Sequence, residues 1–133
     1  MAKIKYVNVD IYKTRVTIFV GTHKEIIEYT KNMASKYDEY KDTVSLAEDR
    51  DNTSAASFYW DAKSRTLIVE VTSLKFNYSK LGEVVHELDH AAFCILDECG
   101  VYYGPEDDSK EAHTYLLELL VEGTFNKEGY EVV

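Results

Sequence analysis

Two histidines four residues apart, with a glutamate directly after the first, stand at positions 86–90 as His86-Glu87-Leu88-Asp89-His90. On a helix, residues i and i+4 lie one above the other, so both imidazoles can reach a single metal ion. Glu87 lies about 100° further round the helix, where it can face a metal-bound water without ligating the metal. Zinc lowers the pKa of such a water towards about 7, and a carboxylate can then take its proton. The expected cofactor is therefore zinc, with His86 and His90 as ligands and Glu87 as general base. The plainer alternative is a helix carrying two surface histidines. Val84, Val85, Leu88, Ala91, Ala92, Ile95 and Leu96 argue against it. They predict a mostly buried helix, in which an unpaired imidazole pair is poorly solvated.

A catalytic zinc needs a third protein ligand and an open fourth position. Glu111, 21 positions after His90 and near the start of the next helix, is the leading candidate. Its alternative role is an acidic residue favouring a helix N-terminus. His113 is the rival. Two residues apart on a helix is about 200°, so Glu111 and His113 cannot both face one metal. Asp107 and Asp108 are weaker rivals, because acidic residues are common in turns. Cys94 lies one turn after His90, but a buried inert thiol is the simpler reading. Tyr102, Tyr103, His113 and Tyr115 are the nearest donors for a developing oxyanion, and each has packing as its plainer role. His23, far from the motif, reads as a surface residue, and Trp60 as core.

These side chains must be positioned by the elements around them. Residues 3–12 and 15–20 read as strands. Gly21-Thr22 offers an N-cap for a helix over 23–40. The stretch 46–54 is polar and loop-like. Residues 56–60 and 66–72 read as strands joined by a turn over 61–65. Ser79 can cap a helix over about 80–99 that Gly100 ends as its C′ residue. Ser109 can cap a last helix, about 110–123, stopped by Gly123. The order β-β-α-β-β-α-α is an α+β chain with its chemistry in the last two helices.

The bulk numbers narrow the function. The 133 residues amount to one domain, 1–133, with 45% hydrophobic residues for one core. The net charge of −9 repels phosphate backbones, so nucleic acid is not an expected partner. No apolar run approaches the roughly 18 residues of a membrane span, and residues 1–6 do not have the form of a signal peptide. Cys94 and Cys99, five apart on one helix, point in different directions and read as free thiols in a reducing, cytoplasmic setting. The sequons at Asn52 and Asn77 then carry no expected glycan.

His86-Glu87-Leu88-Asp89-His90 followed by a Glu-led helix about twenty residues on resembles the gluzincin branch of the zincin metallopeptidases. It is also similar to small zincin-like proteins of phages and mobile elements. The resemblance covers roughly residues 55–123. It implies a small sheet packed on an active-site helix and a following glutamate helix. It implies His86, His90 and Glu111 as zinc ligands, Glu87 as general base, and 66–72 as an edge strand that pairs with an extended peptide. The chain departs from the family at Asp89, where an uncharged residue is usual, and at Glu83, where a small or β-branched one is. It also has Tyr115 in place of the Asp expected four residues after the third ligand. That tyrosine could hydrogen-bond a zinc ligand or pack in the core. Metzincins are excluded, because Phe93 and Leu96 stand where that class has Gly and His.

Two functions follow as expectations. The first is a zinc-dependent peptidase acting on a peptide or partner protein. The second is a catalytically inactive zincin-like binding module, for instance a phage-encoded regulator. Glu87 favours the enzyme, because a structural zinc does not need it and closes its fourth position with Cys or His.

Overall fold

The computed structural model describes residues 1–49, 54–75, 78–101 and 109–133. Its architecture is α+β, a five-stranded mixed sheet with four α-helices. The strands are β1 (Lys3–Val9), β2 (Thr14–Val20), β3 (Ala56–Asp61), β4 (Thr66–Val71) and β5 (Glu131–Val132), and the helices are α1 (His23–Lys36), α2 (Lys41–Asp49), α3 (Tyr78–Glu98) and α4 (Ser109–Phe125). Strand order across the sheet is β3-β4-β2-β1-β5. β2 and β4 run parallel, and the other neighbours are antiparallel.

Alternation along the strands divides the core between the two faces. Val16, Ile18, Leu67, Val69 and Val71 face α3 and α4, where they meet Val84, Leu88, Ile95 and Leu120. Phe19, Tyr59 and Ile68 face the other way, onto Ile26 of α1 and Ala47 of α2. β4 is thus buried on both sides, with Ile68, Val69, Glu70 and Val71 all essentially inaccessible. An unbroken apolar run is the mark of such a strand. This corrects the expectation that 66–72 forms an edge: β4 lies between β2 and β3, and β3 is the edge strand beside α3.

The helices differ from expectation in their ends. Thr22 does cap α1: its hydroxyl accepts from the Glu25 amide at 3.2 Å while Glu25 accepts from the Thr22 amide at 3.0 Å, a reciprocal capping box. α1 stops at Lys36 and not at 40, because Tyr37 is extended (φ −138°, ψ 113°). The chain then re-enters a helix, α2, over residues expected in part to be loop. Thr43 and Ala47, four apart, turn its buried side to the sheet. The Thr43 hydroxyl donates to Asp61 at 2.6 Å and ties α2 to β3. Ser79 lies inside α3 and does not cap it. Gly100 ends α3 as expected, with φ +73° and the Val101 amide donating to the Leu96 carbonyl, the geometry of a Schellman cap. Asn52, Asn77, Tyr102, Tyr103, Asp107 and Asp108 lie outside the described residues.

Gly123 does not stop α4, which runs on to Phe125. Its role is close approach. A Cβ there would stand 2.9 Å from Val7 Cγ2 and 3.0 Å from Val7 Cγ1, on β1. Gly123→Ala should therefore destabilise the protein by about 1–3 kcal/mol through overpacking, less up to about 1 kcal/mol regained in helix propensity. The check is a urea titration: the midpoint falls with the slope unchanged, and an equal or higher midpoint refutes the close-packing account.

Candidate metal centre

α3 carries the His86–His90 segment, and its packing sets the direction of every side chain in it. Val84, Leu88, Ala91, Ala92, Ile95 and Leu96 form one stripe, each no more than 2% exposed. Burying a side chain such as Leu88 contributes about 1.5–3 kcal/mol, so the stripe fixes the rotation of the helix about its axis. His86 and His90 fall on roughly the opposite side and are exposed. The expectation of a mostly buried helix with poorly solvated histidines is thereby corrected. The apolar neighbours belong to the stripe, and the two imidazoles look outward.

The two rings nevertheless converge. His86 Nε2 and His90 Nε2 stand 3.0 Å apart, with ring centroids at 4.6 Å and planes at 87°. Two nitrogens on a tetrahedral zinc, at Zn–N of about 2.0–2.1 Å, are separated by about 3.3 Å. The separation of the pair therefore fits two ligands of one such ion. His90 is steadied from the sheet side by Phe58 of β3, whose ring lies nearly parallel to it at 6.3 Å.

Glu87, on the flank of α3, is half-buried. With His86, Glu83, Gly82, Ser54 and Ala56 it lines an open cleft of about 390 Å³ between α3 and the start of β3. Glu83, one of the departures from the zincin pattern, has a structural task in this cleft. Its carboxylate accepts from the Ala55 amide at 3.1 Å and holds the entry to β3 against α3. Asp89, the other, pairs across to α4, where His113 Nε2 lies 2.7 Å from Asp89 Oδ1. That contact fixes one ring nitrogen of His113, whose side chain is 14% exposed, and couples α4 to the residue beside His90.

Glu111 is exposed in the first turn of α4. Among the described residues it has no hydrogen bond or ion pair, and no group of three or more His, Cys, Asp and Glu side chains is arranged to hold a metal ion. The structure therefore brings His86 and His90 together, with Glu87 next in sequence and lining the same cleft as His86, and among the described residues no metal-holding group includes Glu111. Tyr115 is 66% exposed, so it is not a core residue. Cys94 is half-buried. Burial, and then the charges of Glu98 and Asp97, push its thiol up to about 11, which disfavours the thiolate that zinc ligation requires. Both cysteines are free. Trp60 is partly buried against the α3 side of the core. His23 is half-buried, not a fully exposed surface residue, and its Nδ1 is inaccessible.

The sequence reading missed that β3 is an edge strand among the described residues. The Thr72 amide donates to the Ala55 carbonyl, and the Gly21 amide donates to the Val71 carbonyl. With the register of β3 on β4, the peptide groups of Ser57 and Tyr59 point towards β4, and those of Ala56, Phe58 and Trp60 point away from it. The outward set lies alongside the cleft. No helix among the described residues is long and apolar enough to cross a membrane. Comparison with known proteins gives no match to any protein-family model, curated protein or solved structure.

Proposed function

We propose that the chain is a zinc-dependent peptidase of zincin-like, gluzincin type, hydrolysing an extended peptide or a segment of a partner protein. The observation that carries this reading is the 3.0 Å approach of His86 Nε2 and His90 Nε2, with Glu87 next in sequence and facing a cleft. His86 and His90 would hold the zinc, with Glu111 as third ligand. Zinc bound there supplies a Lewis acid that makes water acidic enough to be deprotonated near neutral pH. The Glu87 carboxylate takes the proton of the attacking water and returns it to the leaving amine. The peptide groups of Ala56, Phe58 and Trp60, which point away from β4, would pair with the substrate as an added strand and hold it extended beside α3. The requirement for an extended chain directs the activity to unfolded or loop-presented peptides.

Glu111 is favoured over His113 because the His113 ring nitrogen is engaged by Asp89 while Glu111 has no partner among the described residues. Glu111→Ala should weaken zinc affinity strongly. His113→Ala should change it little and act mainly on the packing of α4 against α3. Competition with a chromogenic chelator measures both, and the reverse order of effects would make His113 the ligand.

A further inference from the structure

A second cluster of chemistry lies across the sheet, on the α1 side of β1 and β2. Three cavities of about 160, 410 and 510 Å³ share Arg15 as a common lining residue. The smallest is lined by Arg15 and Arg65 with the hydroxyls of Thr17, Ser64 and Thr66. The 410 Å³ cavity shares Tyr6, Tyr29, Met33 and Tyr40 with it and adds Tyr37 and Lys36. The largest adds Lys13 and a single acid, Asp10. In a chain with 24 acidic residues against 15 basic, this region has the opposite balance.

The arginines are left available. Among the described residues, neither Arg15 nor Arg65 has an ion pair or a side-chain hydrogen bond. The Arg15 guanidinium lies over the Tyr6 ring at 4.1 Å. Stacking occupies the face of the guanidinium and leaves its in-plane N–H donors for a planar or tetrahedral anion. Arg65, like Lys13, has a positive φ among the described residues, at +55°, at the end of the turn between β3 and β4. Burial, with the Tyr6 and Tyr40 hydroxyls, raises the pKa of Tyr29, so it remains a neutral donor.

We propose that this cleft binds a small phosphate ester carrying a planar ring, of the mononucleotide class. The phosphate sits between Arg15 and Arg65 against the Thr17, Ser64 and Thr66 hydroxyls, and the ring among Tyr29, Tyr37 and Tyr40. The two parts answer the two kinds of side chain that line the joined cavities. Guanidinium and hydroxyl groups bind an anion but do not select a ring, and tyrosine faces stack on a ring but do not select a charge. The site lies on the far side of the sheet from His86 and His90, so it stands or falls separately from the peptidase reading.

Calorimetric titration of the whole protein in the presence of a metal chelator tests it, with adenosine monophosphate, adenosine and inorganic phosphate as probes. Adenosine monophosphate should bind saturably, at least about tenfold more tightly than either fragment. Arg15→Gln and Arg65→Gln should each weaken it by about tenfold or more, as expected for losing a charge-assisted contact. Tyr37→Ala, at an exposed position, should weaken the nucleotide but not inorganic phosphate. Thermal unfolding of each variant without ligand verifies that the fold is kept. Absence of binding at millimolar concentration, equal affinity for the nucleotide and inorganic phosphate, or undiminished affinity in both arginine variants overturns the proposal.

Discussion

Glu87→Gln should leave folding and zinc content nearly unchanged and reduce peptide hydrolysis by about 10²-fold or more, the usual cost of losing a general base. The amide keeps the shape of the side chain in the cleft beside His86 and removes only the ability to accept a proton. The loss should appear mainly in kcat, because proton transfer belongs to the transition state and not to substrate binding. The assay calls for unfolded peptides, since the β3 edge can pair only with an extended chain. With a net charge of −9, steering favours neutral or cationic substrates, so a library rich in Lys and Arg is the first to try. Equal rates in wild type and Glu87→Gln would exclude the proposed mechanism. No turnover by either, across a broad library, would favour a zincin-like module that binds a partner without cleaving it.

The second large effect concerns the histidines. His86→Ala and His90→Ala should each abolish most of the stabilisation that zinc gives the wild type. A ligand bound to the native state alone stabilises by about 4 kcal/mol at a thousandfold excess over Kd. For a chain of 133 residues that corresponds to a rise in Tm on the order of 10 °C. Both histidines are exposed and lie outside the buried apolar stripe of α3, so removing either leaves the metal-free protein close to its original stability. The zinc-dependent shift therefore reports on the ligand and not on folding. A full shift retained in both single variants would refute the site assignment.

The sequence made the histidine pair legible because its signal is local. A spacing of four on a helix guarantees that His86 and His90 approach each other, whatever surrounds them. The ends of α1 and α3 that depend on a cap were legible for the same reason: Thr22 with Glu25 and Gly100 each act within one turn. Two misreadings came from tertiary context. Apolar residues around His86 predict its enclosure, but the stripe at 84, 88, 91, 92, 95 and 96 leaves the histidines on the opposite side. The zincin resemblance implies an edge strand at 66–72, whereas Leu67-Ile68-Val69 without a polar break calls for cover on both faces. α2 was partly hidden because its charged residues dilute a buried face of only Thr43 and Ala47. The relation of Glu111 to the histidines depends on how α4 is set against α3, and no local pattern encodes that.

Titration of the metal-free wild type with zinc, followed by metal analysis after gel filtration, tests the central claim most directly. The account predicts close to one zinc retained per chain, and next to none in a His86→Ala/His90→Ala double variant of unchanged fold. Failure of the wild type to retain zinc, or equal retention by the double variant, would contradict it.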